Sequence, residues 1–331
     1  MKIGGIDTFR FIAALWVLFG HQGFFPIGYG LDPSDPVAHA VQGILNNLIS
    51  GPAAVIVFFI ISGFCIHLPF KNEMKLNVGK FFVRRYLRLG LPIIALVIMN
   101  YALLGKDSAE SYARLYDGIF WSLYAELIYY TIYPLLFRLR RRVSFEKMII
   151  YSFVLALGLA ATNPTAGNYP SFGIWGNWIL GLPCWLLGCL LAERMKFDEA
   201  TVTPSQGEIW IWRFSIWGIS WITSAMRFHT HVGFPWTLNF FALAAFFWLR
   251  REIAYFRTVP ANRLLEFGGL WAYSIYLCHT VFPSFLAKFH FPNLGPNLNW
   301  TLATSLNLCL CLVFYFVVER PSHLVARKVG R

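Results

Sequence analysis

The chain has 331 residues, of which 57% are hydrophobic and only 13% are charged, and its formal net charge is +12. A soluble domain usually carries about 25% charged residues, so this composition excludes an ordinary soluble globular protein. The cations flank apolar stretches, where membrane topology and anionic lipid headgroups account for them without any nucleic-acid partner.

Ten apolar stretches approach the length of about 20 residues that crosses a hydrocarbon core. Their approximate bounds are 6–25, 52–70, 86–104, 118–137, 148–162, 174–192, 209–226, 234–249, 267–286 and 300–318. We therefore expect an all-α, polytopic integral membrane protein that forms one membrane domain over residues 1–331, with no appended soluble domain. Ser50 is an expected N-cap and Pro52 an early helical residue, so the apolar segment 37–49 before them is expected to be an interfacial helix or a re-entrant segment.

The basic residues predict how these spans are oriented. With a cytoplasmic N-terminus, all but four of the 28 Lys and Arg residues fall on the cytoplasmic side. The four exceptions are Lys106, Arg114, Arg227 and Lys288. The positive-inside rule therefore favours about ten transmembrane helices with both termini in the cytoplasm. The six cysteines lie in apolar spans without metal-ligand spacing, so we expect reduced packing residues and no metal site.

The first apolar stretch holds Arg10 and His21, which stand eleven residues apart. On an α-helix, eleven steps of about 100° return to within about 20° of the start, so both side chains share one face. Ionisable groups inside a bilayer usually face a polar cavity and mark a functional site. Imidazole titrates near neutral pH, which makes His21 a candidate general base. The alternative is an interfacial histidine above an arginine that extends to the membrane surface, and the residues alone leave both open.

A second group of polar side chains lies in the fourth and ninth spans. Glu126 stands near the middle of the fourth span and four residues after Ser122, so the two share a helix face. An intramembrane carboxylate is costly unless it is neutral or paired, which favours a functional role over a simple helix-to-helix hydrogen bond. His279 is expected at a depth similar to that of His21, with Tyr276 below it. Convergence of these groups does not follow from the sequence, and His279 taken alone is typical of a packing histidine.

Arginines Arg84, Arg85 and Arg88 occupy the cytoplasmic start of the third span. Arg85 and Arg88 have the i, i+3 spacing that suits two guanidinium groups holding one anion. The alternative is a positive-inside anchor, which position alone does not distinguish from binding. Ser62 and Gly63 form a small-residue notch in the second span, which suits a ligand or, as we expect here, a neighbouring helix.

Six separated segments carry a family resemblance. They are IDTFRFIAALWVLFGH at 6–21, FFIISGF at 58–64, FFVRRYLRLGLP at 81–92, FWSLYAE at 120–126, YSIYLCH at 273–279 and VVERP at 317–321. In this order they resemble acyltransferase family 3, integral membrane proteins that include O-acetyltransferases of bacterial surface sugars. Each segment is weak alone, whereas the ordered set is specific.

The resemblance implies roles for the matched positions. It implies catalytic roles for His21, Arg10 and Glu126, with His21 as the essential base. It implies binding of the acyl-CoA phosphates at the arginine-rich segment of Arg84, Arg85 and Arg88. We assign the substrate-binding region to Ser122, His279, Tyr276 and Ser62.

We therefore expect a multi-pass inner-membrane O-acyltransferase that moves an acyl group from acyl-CoA to a hydroxyl of a surface or lipid-linked carbohydrate. Acetyl-CoA is the expected donor substrate, and no permanently bound cofactor is expected. The expected partners are acyl-CoA, a carbohydrate acceptor and the lipid bilayer, with neither nucleic acid nor metal.

The alternative is a proton-coupled transporter or flippase of a polysaccharide precursor. Such proteins often carry broken helices in corresponding halves, and this sequence has one interrupted region, near Gly51, without a matching partner. A non-catalytic subunit of polysaccharide assembly is a third interpretation.

Overall fold

The computed structural model describes residues 3–23, 25–26, 36–105, 115–195, 203–289, 291 and 293–329, without the side chains of residues 38, 39, 42 and 46. Within these ranges every regular element is helical. The all-α prediction is therefore confirmed for the part of the chain that is described. Most of the predicted external loops 26–36 and 105–117 lies outside the described residues.

The α-helices are numbered in chain order. They are α1 (Ile6–Gln22), α2 (Pro36–Asn47), α3 (Gly51–His67), α4 (Val78–Leu104), α5 (Trp121–Leu139), α6 (Phe145–Thr162), α7 (Gly173–Arg194), α8 (Gln206–His229), α9 (Phe234–Tyr255), α10 (Arg263–Leu270), α11 (Ala272–Cys278), α12 (Val281–Leu286), α13 (Pro296–Phe314) and α14 (Arg320–Val329). Wider, π-helical turns at Tyr116–Phe120 and Tyr315–Glu319 precede α5 and α14.

Among the residues that the structure describes, five helical segments are long and apolar enough to cross a membrane. They are Gly51–Phe70, Val78–Leu104, Phe145–Thr162, Tyr169–Arg194 and Pro296–Val329. The other predicted spans also fall on helices. The number of ten spans and the cytoplasmic termini stay predictions.

The ninth predicted span, 267–286, is divided into the three short helices α10, α11 and α12. Pro283 accounts for the second break, because proline lacks the N–H that would bond the carbonyl of His279. The first part of this span lies against α1, where a Cβ on Gly269 would stand 2.1 Å from the Asp7 carbonyl oxygen. His279 therefore lies at a helix end and not in the middle of a continuous span.

The α3–α7 pair forms the centre of the bundle, and glycines let the two backbones touch. A Cβ on Gly63 would lie 2.0 Å from the carbonyl oxygen of Trp185, and one on Gly188 would lie 2.0 Å from that of Ile60. Small residues at such crossings allow close helix packing in membranes. Gly63 is therefore the contact for a neighbouring helix that the sequence favoured.

Side chains cap the N-terminal ends of α1 and α3. Ser50 caps α3, since its Oγ accepts from the N–H of Ala53 at 3.4 Å. Glu266 of α10 caps α1 from outside, because its Oε1 accepts from the N–H groups of Gly5 and Thr8 at 3.1 and 3.2 Å. The α10 carboxylate thus satisfies N–H groups that the first turn of a helix leaves unpaired.

Candidate functional site

Two histidines meet at the C-terminal end of α1. The ring centres of His21 and His279 are 4.9 Å apart. His21 is exposed, whereas His279, at the end of α11, is buried. The structure therefore brings together two residues that are 258 positions apart in the sequence.

The hydrogen bonds of His279 define its tautomer. Its Nδ1 lies 2.7 Å from the main-chain oxygen of Tyr276, and a carbonyl only accepts, so Nδ1 carries the proton. Its Nε2 is buried and has no hydrogen-bond partner within the described ranges. A buried unpaired nitrogen costs free energy, so His279 Nε2 is left as an available hydrogen-bond acceptor.

The wide turn before α5 lies against this histidine pair. A Cβ on Gly118 would stand 3.5 Å from Thr280 Cγ2 and 4.0 Å from His21 Cε1. Residues Tyr116–Phe120 wind as a π-helical turn, a geometry that is frequent at functional sites. Because position 118 is glycine, no side chain of residue 118 stands against the His21 ring.

Ser122 and Tyr276 connect the histidine pair to α5. Their hydroxyl groups are hydrogen-bonded to one another, and Ser122 Oγ also lies 3.0 Å from the carbonyl oxygen of Ile119. The Tyr276 ring is 5.8 Å from that of His279 and 5.6 Å from that of Phe58. Both hydroxyl-bearing residues are buried, so their mutual bond satisfies polar atoms that water does not reach.

Glu126 lies one turn further along α5 and holds a hydrogen-bonded cluster. Its Oε1 accepts from Ser62 Oγ at 2.7 Å and from the Tyr130 hydroxyl at 2.5 Å. Trp185 Nε1 donates to Ser62 Oγ at 3.3 Å. Glu126 also lies within electrostatic range of Tyr276. This carboxylate is paired through hydrogen bonds, and it links the α5 side of the site to α3 and α7.

Arg10 lies at the opposite end of α1 from His21. Its Nη1 forms an ion pair with Asp7 Oδ1 at 3.1 Å, and 26% of its side chain is exposed. It also lies within electrostatic range of Tyr130. Asp7 is therefore a direct partner, and Arg10 does not contact His21 in this structure because about 16 Å of helix separates them.

The three arginines at the start of α4 have different surroundings. Arg85 is half-buried, with its guanidinium carbon 5.8 Å from the centre of the Phe81 ring, and lies within electrostatic range of Tyr130. Arg88 is exposed, and its Nε donates to His323 Nε2 at 3.1 Å. Arg84 is exposed. The expected Arg85–Arg88 clamp is thus partly engaged by α14.

Among the residues that the structure describes, no three His, Cys, Asp or Glu side chains are grouped as metal ligands would be. All six cysteines are free thiols.

Hydrogen bonds, ring contacts and longer-range electrostatic interactions link these residues into one set, which we call the polar line. It comprises His21, His279, Tyr276, Ser122, Glu126, Ser62, Tyr130, Arg10, Arg85 and Arg88. It crosses the bundle from the C-terminal end of α1 to the N-terminal end of α4.

A family model described as an acyltransferase domain matches residues 3–316. The chain belongs to the acyltransferase 3 family.

No curated protein and no solved structure matches the chain. Membership of the acyltransferase 3 family confirms the resemblance carried by the six segments. Together with the apolar helices, it identifies the protein as a membrane acyltransferase.

Glu319 is a buried carboxylate that belongs with the polar line and was not predicted from the sequence. It follows the last apolar helix. In the structure it is buried, and its Oε2 accepts from the N–H of Ser274 at 3.0 Å and from Ser274 Oγ at 2.5 Å. It lies within electrostatic range of Arg10 and Arg88. The available sequence signal was an acidic residue at the end of an apolar stretch, within the segment VVERP.

His67 is the last residue of α3. It is fully buried, with Nδ1 2.9 Å from the Tyr133 hydroxyl and Nε2 2.7 Å from Glu193 Oε1. Arg140 Nη1 donates to the same Glu193 oxygen at 2.7 Å. This second polar cluster fixes the ends of α3, α5 and α7 and lies outside the polar line.

Proposed function

We propose that this membrane acyltransferase transfers an acyl group, acetyl in the simplest case, from acyl-CoA to a carbohydrate hydroxyl. The observation that carries the proposal is the His21–His279 pair, which joins an exposed imidazole to a buried one with a free Nε2. The exposed imidazole of His21 suits proton transfer from a substrate hydroxyl, and the free Nε2 of His279 offers an acceptor for a second hydrogen bond from the substrate.

In the proposed reaction, His21 is the general base. It accepts the proton of the carbohydrate hydroxyl while the hydroxyl oxygen attacks the thioester carbonyl carbon. The tetrahedral intermediate collapses, the carbon–sulfur bond breaks, and the thiolate of CoA takes the proton from His21. His279 Nε2 accepts a hydrogen bond from a second hydroxyl of the carbohydrate and so orients the acceptor, because its own Nδ1–H is held by the Tyr276 carbonyl.

We assign one end of the polar line to binding of the donor and the other end to binding of the acceptor. Arg85, with Arg88, binds the phosphates of acyl-CoA at the end where α4 begins, since guanidinium groups match phosphate geometry. Ser122 and Tyr276 contact the acceptor, and Glu126 with Ser62 carries protons or shapes the passage between the two ends. Arg10 stabilises the polar line at its arginine end.

The proposed topology follows the distribution of basic residues. With ten spans and both termini in the cytoplasm of a cell with an inner membrane, Arg85 faces the cytoplasm and His21 lies toward the outer side. Acyl-CoA then binds from the cytoplasm, where it is made, and the surface or lipid-linked carbohydrate binds from the outer side. The donor and the acceptor approach from opposite ends of the polar line.

The test uses membranes that contain the wild type or His21→Ala, incubated with labelled acetyl-CoA and extracted surface glycans. We expect label in a base-labile ester, and a loss of about 10²–10⁴-fold in His21→Ala, the usual contribution of a general base. His231→Ala is the matched control, because His231 is exposed on the loop after α8. Near-normal transfer by correctly inserted His21→Ala would overturn the assignment.

A complete absence of label would point elsewhere. If the wild type transferred no acetyl group to any fraction but drove proton-dependent solute movement, the polar line would be a transport path. Ester formation that depends on acyl-CoA separates the two activities.

A further inference from the structure

A groove of about 640 Å³ opens between the end of α5 and the start of α4, away from the polar line. Among the described residues, four cations line it and no acidic side chain does. They are Lys75, Arg138, Arg141 and Arg142. The groove therefore presents concentrated positive charge to whatever occupies it.

Three of these cations lack an acceptor from the part of the protein that the structure describes. Lys75, Arg138 and Arg142 are exposed, and none of them forms an ion pair or a side-chain hydrogen bond with another described residue. Arg141 differs, because it donates to the main-chain oxygen of Met74. Three cations beside one groove repel one another until an anion compensates them.

Neighbouring arginines show that acceptors are available on this side of the bundle. Arg140 is paired with Glu193 at 2.7 Å, and Arg194 with Glu146 at 3.0 Å. Carboxylates thus neutralise the arginines around the groove but not those that line it. This difference favours an external anion as the partner of the groove.

The walls between the cations are apolar. Met74 and Leu135 line the groove and are 68% and 66% exposed, while Phe137 forms a buried part of its floor. Covering apolar side chains of this size removes their surface from water, which is favourable. A ligand with both an anionic head and hydrocarbon chains satisfies the cations and covers these side chains.

We propose that this groove is a binding site for an anionic phospholipid. The phosphate lies among Lys75, Arg138 and Arg142, and the acyl chains run along Met74 and Leu135. A soluble nucleotide or free phosphate leaves the exposed apolar walls uncovered, so the amphipathic lining favours a lipid. The proposal is independent of the acyl-transfer reaction, since the groove shares no residue with the polar line.

The test measures binding of tail-labelled phosphatidylglycerol to the purified full chain in detergent, by fluorescence anisotropy. Unlabelled phosphatidylglycerol is expected to compete at least about tenfold better than phosphatidylcholine. The triple variant Lys75→Gln, Arg138→Gln, Arg142→Gln is expected to weaken phosphatidylglycerol binding at least about tenfold. Its binding of phosphatidylcholine should not change.

The matched control is Lys147→Gln, Arg250→Gln, Arg263→Gln, which removes three exposed cations that do not line the groove. It should bind phosphatidylglycerol as the wild type does. An equal loss of phosphatidylglycerol binding in this control would show that net charge alone causes the effect, which would overturn the proposal.

Soluble competitors separate a lipid from other anions. Glycerol 3-phosphate and CoA are expected to leave the labelled lipid bound. Displacement by glycerol 3-phosphate would make the groove a simple anion site, and displacement by CoA would assign it to a nucleotide; either result overturns the lipid assignment. Leu135→Asn is expected to weaken lipid binding by about threefold, and unchanged binding would remove the role of the apolar wall.

Discussion

The main-chain oxygen of Tyr276 holds His279 Nδ1 at 2.7 Å and thereby leaves His279 Nε2 as the free acceptor. Backbone atoms of α11 fix both the ring orientation and the tautomer. The buried histidine is thus prepared for one kind of hydrogen bond before any substrate arrives.

Substitutions at His279 should rank by which ring nitrogen they replace. The amide oxygen of glutamine reaches the Nε2 position, whereas that of asparagine reaches the Nδ1 position. We expect His279→Gln to keep more transfer activity than His279→Asn, which should lose about tenfold or more. Initial rates at equal amounts of inserted protein give the comparison, and an asparagine variant that matches the glutamine one would argue against the role of Nε2.

Position 118 should tolerate alanine but not valine. An alanine Cβ would meet Thr280 Cγ2 at 3.5 Å and His21 Cε1 at 4.0 Å, which are ordinary contacts. The extra methyl groups of valine would displace the imidazole, and a shift of about 1 Å costs up to about 10²-fold in rate. We expect Gly118→Ala to retain most of the activity and Gly118→Val to lose at least about tenfold. Equal activity of the two variants would contradict the packing described for His21.

Arg85 should contribute more than Arg88 to binding of the donor. Arg88 already donates to His323, whereas Arg85 is half-buried beside Phe81. Arg85→Gln is expected to raise the KM for acetyl-CoA about tenfold, since a hydrogen bond to a charged group is worth about 1.5–3 kcal/mol. Arg88→Gln should have a smaller effect. Rates measured against acetyl-CoA concentration give the KM of each variant. A larger effect of Arg88→Gln than of Arg85→Gln would place the phosphates nearer to α14.

Glu252 should matter for stability and not for the reaction. It is fully buried and accepts from Arg213 at 2.7 and 3.0 Å and from Trp248 Nε1 at 2.9 Å. Glu252→Ala leaves Arg213 and Trp248 Nε1 without their acceptor, and because Arg213 is 28% exposed we expect a cost of about 1–3 kcal/mol.

An exposed ion pair supplies the control for that prediction. Glu208 and Arg251 are paired at 3.0 Å, with 36% and 45% of their side chains exposed. Glu208→Ala should therefore cost less than about 1 kcal/mol. Thermal unfolding in detergent should show a clear drop in the midpoint for Glu252→Ala alone, and equal drops would refute the ranking.

The α3–α7 contact should not accept a methyl group. Gly188→Ala would place its Cβ 2.0 Å from the carbonyl oxygen of Ile60, so the helices must separate, at a cost of about 1–3 kcal/mol. An alanine Cβ at Gly158 of α6 would meet no atom of a neighbouring described residue within 4 Å, so Gly158→Ala should leave stability unchanged or raise it. The thermal midpoints of the two alanine variants test this difference.

Hydrophobic length and periodicity were enough to predict where the helices lie, because burial in lipid requires long apolar segments. They did not predict that 267–286 breaks at His279. That break depends on Pro283, and the earlier break at Trp271 follows the close approach of Gly269 to α1; a hydropathy average contains neither effect.

The candidate site was predictable in its members and not in its connections. Counting residues along a helix placed His21 and His279 at similar depth, but their 4.9 Å separation depends on how α1 and α11 pack. Ser62 was expected to contact a helix, and its bond to Glu126 arises because α3 and α5 face one another. Pairings across helices require tertiary geometry that one sequence does not specify.

Three interior glutamates accept hydrogen bonds from residues that are synthesised before them. The pairs are Ser62 with Glu126, Arg213 with Glu252, and Ser274 with Glu319. Because the chain is synthesised from its N-terminus, the donor for each of these carboxylates exists before the carboxylate itself. None of the three therefore enters the lipid without a hydrogen-bond donor in the chain already made.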